Sequence, residues 1–333
     1  MADQKRKGKK FWAAIAEAQS HAMDADPDIF VAGQDIEMGA LWSTARGLRE
    51  RFGPERVRNT PLSETAMAGL AVGAAVAGMR PIVEIMFIDF MACCMDQIVN
   101  QMAKMKYMFG GKAKLPLVII THQGAGTGQA GQHSQSLEAW FAHIPGLKVV
   151  MPSDPYDAGG LMASAIWDDN PVIFITNKRL LGLRGDVPDE PYRVPLGKAA
   201  VKREGTDVSV VATGRLVQEA LKAADELAGR GVSVEVVDPR TLSPLDSETI
   251  INSVRKTGRA VVAQEAVRFC GYGAELAAQI ADEAFDYLDA PIKRIGAPFS
   301  PVPFAPTLEA AWIKGKGDII AAIEEIVPVG APA

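Results

Sequence analysis

Four histidines, three cysteines and 7% aromatic residues are a thin supply of reactive and stacking side chains for a chain of 333 residues. Two of the cysteines, Cys93 and Cys94, are adjacent. Neither a disulfide framework nor a Cys-x-x-Cys metal knuckle can be drawn from them, and a reducing cytoplasm is the expected setting. No two histidines stand at metal-ligand spacing, and there is no GxxxxGK[ST] phosphate loop, which excludes a P-loop NTPase. Excess positive charge is missing as well. The 35 Lys and Arg against 40 Asp and Glu leave a net charge of −5, which argues against nucleic acid as a partner. Long hydrophobic runs are absent: the longest, Met67 to Met79, has thirteen Gly- and Ala-rich residues. A bilayer needs about 20, so no membrane association is expected. The N-terminal MADQKRKGKK is basic, but Glu17, Gln19, Ser20 and His21 interrupt the segment after it, so no signal peptide is read.

What is there is an ordinary globular composition, 48% apolar and 23% charged, with length for two domains. Short Val/Ile-rich runs alternate with helical patterns. In the first half the strands expected are 29–34, 80–87, 116–122, 147–152 and 171–177, with helices at 11–23, 63–77, 90–105 and 155–167. From Leu181 to Lys198 three prolines and mixed charges break the pattern. A second series follows, with strands at 207–213, 232–238, 260–265 and 291–296 and helices at 215–228, 247–256 and 273–288. Strands apolar along their whole length, joined by helices, indicate α/β domains, each a mostly parallel sheet with helices on both faces. The expected division is a first domain over 1–182, a linker over 183–204 and a second domain over 205–328.

Three features carry chemistry. Gly126-x-Gly128-x-x-Gly131 follows a strand, as a dinucleotide-binding loop would. THQGA intervenes between the strand and Gly126, however, so the tight turn directly off the strand is missing and a loop lining another ligand is the better reading. His133 stands in this loop. Ligands of parallel sheets bind outside the carboxyl ends of the strands, so His133 is a candidate proton carrier, whereas His21, His122 and His143 read as structural. Glu64 opens the otherwise apolar helix ETAMAGLAVGAAVAG, among Leu62, Ala66, Leu70 and Val72. Helix capping, with Ser63 as N-cap, and a proton shared with a ligand are equally compatible with that position.

Taken together, TPLSE (60–64), AVGAAVAGMRPIVEIMFIDF, DQIVNQMAKMKYMFGG, GQHSQS, HIPGLKVVMPSDPYDAGGL and DDNPVIF, with the later PRTLSPLD and GAPFSPVPFAPTLE, resemble a known family. It is the β subunit of thiamine-diphosphate-dependent 2-oxo acid dehydrogenases. The likeness runs over about residues 8 to 328, and EIMFIDF, YMFGGKA and SDPYDA place it nearest the pyruvate and acetoin dehydrogenase branches.

The resemblance implies a transketolase-like pyrimidine-binding domain followed by a transketolase C-terminal domain. It assigns Glu64 to the hydrogen bond with N1′ of the cofactor's aminopyrimidine, Phe90 to stacking on that ring, and Leu62 and Met86 to its apolar wall. His133 falls on the histidine that handles protons of the substrate-derived intermediate. A structural potassium ion would lie at Leu117, Ala165, Ile166, Asp168 and Asn170, held mostly by backbone carbonyls. The family's Gly-Asp-Gly motif for the magnesium-bound diphosphate is missing; the nearest string, RGDVPD, lies in the linker. Mg2+ and that half of thiamine diphosphate are therefore expected on an α subunit, in an α2β2 heterotetramer that passes its acyl unit to a lipoyl acyltransferase. RFCGYGAE departs from the family pattern, and Cys270 there is read as a buried small hydrophobe. Two other readings remain, a carboligase or transketolase-like half-enzyme with no lipoyl partner, and a nicotinamide oxidoreductase built on the glycine loop.

Overall fold

The computed structural model describes residues 8–36 and 42–327; the basic stretch up to Lys7 and the tail from Pro328 lie outside them. Two compact units emerge, each assembled from two stretches of chain. One comprises Met1–Gln123 with Trp140–Leu196, the other Gly124–Ala139 with Gly197–Ala333.

The first unit opens with β1 (Lys9–Lys10) and α1 (Phe11–Ala25), then β2 (Ile29–Gly33), α2 (Leu48–Phe52), β3 (Val57–Asn59), α3 (Glu64–Val76) and β4 (Arg80–Phe87). It continues with α4 (Met105–Met108), β5 (Val118–Gln123), α5 (Glu138–Ala142, where the chain returns from the second unit), β6 (Lys148–Val150), α6 (Pro155–Ile166), β7 (Val172–Asn177) and β8 (Arg184–Gly185). Six strands lie in the order β6-β7-β5-β4-β2-β3, every neighbouring pair parallel. All six residues of β5 and of β7 are buried, as strands covered on both faces require. The core runs from Phe11, Ile15 and Met23 on α1 through Val31, Ile82, Ile120 and Phe174 on the sheet to Leu161 and Met162 on α6. β4 pairs with β5 in register up to Ile85 opposite Thr121 and resumes with Phe87 opposite His122. Met86 is the extra residue of that bulge, a feature that re-aims a side chain.

One expected helix is corrected. Residues 90–105 form no continuous α-helix: a 3₁₀ stretch Ile88–Cys94, a π turn Gln97–Met102 and α4 follow one another. The reason lies in the spacing of the buried residues. Ile88, Met91 and Cys94 recur every three residues, the 3₁₀ period, and Ile98 and Met102 then recur every four. The proline-rich stretch is also more ordered than a loose connection. β8 pairs antiparallel with β1, and Val194 N–H donates to the Gly160 carbonyl at 3.0 Å. Gly160 permits this, because a Cβ there would stand 2.4 Å from Val194 Cγ2.

The second unit holds β9 (Ala200–Arg203), β10 (Val208–Ala212), α7 (Arg215–Ala228), β11 (Val234–Asp238), β12 (Thr241–Ser243), α8 (Ser247–Thr257), β13 (Ala260–Val267), α9 (Tyr272–Glu283), β14 (Lys293–Ala297), α10 (Pro306–Trp312) and α11 (Lys316–Glu324). Its sheet runs β14-β13-β10-β11-β9, parallel except for the antiparallel edge strand β9. Leu216, Ala220, Ala223, Ala224 and Leu227 give α7 one apolar face, which packs with Val210, Val236, Val261 and Ile323. α9 ends at Glu283 rather than running on to Leu288, with a 3₁₀ turn Phe285–Tyr287 behind it. Cys270, expected to be buried, is exposed: it sits at the turn into α9 with a left-handed backbone (φ 51°).

Candidate active site

In the first unit, Glu64 occupies the first turn of α3, where the helix dipole favours negative charge. Ser63 takes the N-cap position but makes no side-chain capping bond. The helix is held instead by packing on β4 and by Thr65 Oγ1, which donates to the Cys93 carbonyl at 2.7 Å. Among the described residues the expected apolar enclosure of Glu64 is absent. Leu62 is 71% exposed and Leu70 42%, Ala66 is exposed too, and Glu64 itself is half-buried. Each turn of α3 thus turns apolar surface outward, because the sequence is apolar on every side while the unit covers only Met67, Ala68, Ala71, Val72 and Ala75. A helix apolar all round belongs to an interior. The Cys94 thiol beneath it is pushed up to about 12, first by burial and then by the neighbouring Glu64 and Cys93.

Met86 at the bulge is half-buried, and Phe90 stands edge-on to Phe87, with ring centroids 5.6 Å apart. Lys178, almost fully buried, sets its ammonium 5.0 Å from the Phe87 ring centre and 5.8 Å from that of Trp42. Beside these, Glu84 accepts from Thr44 N–H at 2.9 Å and from Thr44 Oγ1 at 2.7 Å, with His122 Nε2 4.0 Å away. Burial works to raise the Glu84 carboxyl, but His122 and Thr44 outweigh it and hold it below its ordinary range. A half-buried carboxylate, a sulfur and an aromatic face, left partly open, suit a flat heteroaromatic ring with one polar edge. The resemblance had assigned Glu64, Met86 and Phe90 to such a ring. His122, read as structural, is buried in β5; the Glu84–Thr44 clamp was not anticipated, its signal being a carboxylate inside a buried strand.

The five residues expected at a monovalent cation share one corner of the first unit, and their acceptors are engaged. The Leu117 carbonyl takes Val172 N–H at 3.0 Å, and the Ala165 carbonyl takes Asp168 N–H at 3.3 Å. Arg80 Nη1 donates to the carbonyls of Ile166 (3.2 Å) and Asp168 (3.3 Å). Asn170 Oδ1 accepts from Lys106 Nζ at 2.6 Å, and the Asp168 carboxylate pairs with Lys148. The Arg80 guanidinium therefore already brings positive charge to two of these carbonyls.

His133 belongs to the second unit, within Gly124–Ala139. Next to it Ser134 is fully buried, its hydroxyl without a hydrogen-bond partner among the described residues. A cavity of about 530 Å³, lined by Gly131, Gln132, Gln135, Phe299, Pro301 and Trp312, flanks the loop. The glycine fingerprint is decided here, though not by the argument from spacing. β5 continues to Gln123, so only Gly124 and Ala125 separate it from Gly126. The loop amides that would cradle a pyrophosphate are already taken. Ala125 N–H donates to Glu265 Oε1 at 3.0 Å, Gly126 N–H to Glu309 Oε1 at 2.7 Å, and Gly128 N–H to Glu309 Oε2 at 3.2 Å. Two buried carboxylates hold the places of the phosphates. Asp154, which follows the strand after this loop where a dinucleotide-binding unit would carry its ribose-binding acid, instead caps α6 by accepting from Asp157 N–H at 2.8 Å. Among the described residues no three His, Cys, Asp or Glu side chains group as a metal centre, and no helix is long and apolar enough to cross a membrane.

A family model described as "Transketolase, pyrimidine binding domain" matches residues 7–184, and one described as "Transketolase, C-terminal domain" matches residues 197–319. The chain is 46% identical, over 96% of its length and 97% of the relative, to the acetoin:2,6-dichlorophenolindophenol oxidoreductase subunit beta of Bacillus subtilis. It is 48% identical to the protein of the same name from Cupriavidus necator, over 95% of this chain and 97% of that one. It is also 44% identical to the pyruvate dehydrogenase E1 component subunit beta of Bacillus subtilis, over 94% and 97%. Among solved structures, a split-gene transketolase described as an inactive beta4 tetramer matches with a TM-score of 0.78. That likeness covers 98% of this chain and 100% of the other at 24% identity, and it establishes the fold.

Proposed function

The chain belongs to the family of transketolase-type β subunits of acetoin and pyruvate dehydrogenase E1 components, and on that premise we propose that it supplies the pyrimidine half of a thiamine-diphosphate site completed by an α subunit. The family implies thiamine diphosphate, and the β-subunit names of its relatives imply the α partner. One observation carries the reading furthest: Glu64 stands in the first turn of a helix that is apolar all round yet open along one side. Such a helix is half of an interface, and a carboxylate at its start meets whatever the other half holds.

When bound, the cofactor supplies the carbanion chemistry that breaks the C–C bond next to a carbonyl in a short 2-oxo acid or acetoin. Glu64 accepts a hydrogen bond from the ring nitrogen of its pyrimidine and holds that proton in place. Phe90 stacks on the ring, while Leu62 and Met86 exclude water from its apolar edge. His133 exchanges a proton with the substrate-derived group. Mg2+ with the diphosphate belongs to the α subunit on this reading, and the assembly is α2β2. A monovalent cation at Leu117, Ala165, Ile166, Asp168 and Asn170 competes with Arg80 for two carbonyls, so no step is assigned to it. A lipoyl acyltransferase as acyl acceptor and a cytoplasmic setting complete the proposal.

Co-expression with an α subunit of the same family tests this reading. The lone chain is expected to be inactive and the assembled enzyme to turn over. Lipoamide-dependent NADH formation with the acyltransferase and a dihydrolipoamide dehydrogenase separates the dehydrogenase from a carboligase half-enzyme. Full activity of the lone chain contradicts the proposal.

A further inference from the structure

Gly124–Ala139 is a segment with little regular structure of its own. Left-handed backbone at Gly124 (φ 104°), Gly126 (97°), Gly128 (68°) and Ala130 (55°) marks a loop with much conformational freedom to lose, and no regular element begins before Glu138. Besides its own Gly124 N–H to Gln135 carbonyl bond at 3.3 Å, its glycine-rich start is held by two carboxylates elsewhere in the second unit. Glu265 near the end of β13 is 1% exposed and accepts from Ala125 N–H; its charge is balanced by Arg215 Nε at 3.0 Å. Arg215 in turn donates to the Lys314 carbonyl at 2.6 Å. Glu309 on α10 is 6% exposed and has no cationic partner among the described residues. Its oxygens are satisfied by the loop itself, Oε1 by Gly126 N–H at 2.7 Å and by Gly128 N–H at 3.3 Å, Oε2 by Gly128 N–H at 3.2 Å.

Burying a carboxylate is costly unless hydrogen bonds satisfy it, and an apolar residue would have filled the same space more cheaply. What the carboxylate provides is two acceptor oxygens in one plane, able to hold two non-adjacent amides at once. We infer that Glu309, with Glu265 behind it, is a positioning residue for His133: the pair fixes the backbone of residues 125–128 and so the place at which the His133 imidazole is presented. The inference rests on the reading of His133 as the proton-handling histidine. It adds residues which neither touch the cofactor nor belong to the metal or pyrimidine sets.

The test uses the chain assembled with its α partner, in wild-type, Glu309→Gln and His133→Ala forms. Glu309→Gln keeps the shape and one acceptor oxygen, so the fold is retained; Glu309→Asp, too short to reach both amides, serves as a second variant. Hydrogen–deuterium exchange of peptide 124–139 in the enzyme without cofactor is expected to quicken about tenfold in either variant, while peptides of α6 stay unchanged. With cofactor present, kcat is expected to fall at least about tenfold with KM moving less than about threefold, the signature of lost orientation rather than lost binding. Unchanged exchange together with wild-type kcat in Glu309→Gln overturns the inference and leaves the role of His133 intact. Wild-type kcat in His133→Ala overturns that role, and with it the catalytic half of the inference; the exchange rates then decide the tether by themselves.

Discussion

Glu84→Gln removes one buried charge and leaves the side chain's shape in place. In the native unit one Glu84 oxygen accepts both the Thr44 N–H (2.9 Å) and the Thr44 hydroxyl (2.7 Å), and His122 stands 4.0 Å from the other. A hydrogen bond to a charged acceptor contributes about 1.5–3 kcal/mol and one to a neutral acceptor about 0.5–1.5. Weakening two such bonds therefore costs about 2–3 kcal/mol. Glu84→Ala, which leaves the two buried Thr44 donors without their acceptor, costs about 2–5 kcal/mol. At about 2–4 °C per kcal/mol for a domain of this size, Glu84→Gln should lower Tm by about 5–10 °C at pH 7. The pH dependence fixes the sign. The folded carboxyl is held below its ordinary value of 4.5, so its contribution is complete above that pH and is lost as pH falls through the folded pKa. Melting curves of wild type and Glu84→Gln, followed by circular dichroism from pH 7 downward, should converge below pH 4.5. A variant melting within about 1 °C of wild type at pH 7 refutes the clamp, and so does a gap that widens on acidification.

Two further outcomes follow from packing. At pH 8 a thiol reagent should label Cys93 and Cys270 of the native chain quickly, both being exposed, and leave Cys94 untouched until unfolding, because its thiol is buried and pushed up to about 12. Gly160→Ala should destabilise the first unit by about 1–3 kcal/mol. Its Cβ would lie 2.4 Å from Val194 Cγ2 and 2.7 Å from Tyr192 Cε2, so limited proteolysis should first cut near residues 186–195.

Much of the fold was legible because its strands are apolar from end to end and two of its helices open on an aspartate cap. α6 begins at Asp154–Pro155 and α8 at Asp246, each with an aspartate that accepts from a first-turn amide. The stretch 90–105 was misread as one helix because a period of three and a period of four succeed one another there, and together they average to an α-helix. Glu64, Phe90 and Met86 were assigned through the family motif; composition alone left Glu64 divided between a cap and a ligand group. Glu265 and Glu309 could not be found that way. They lie 140 and 183 residues from the amides they bind, and nothing in a linear sequence marks a carboxylate whose partners are backbone groups. The same contacts occupy the amides of Ala125, Gly126 and Gly128 that a dinucleotide pyrophosphate would need.

The account stands most directly on Glu64. In the enzyme assembled from this chain and its α subunit, with thiamine diphosphate and Mg2+ present, kcat of Glu64→Gln should be about 10²–10⁴-fold below wild type, the usual reach of a positioned proton-transfer group. The assembly and its Tm should be unchanged. A variant that keeps wild-type kcat in an intact assembly would return Glu64 to an ordinary helix-start acid and contradict the central claim.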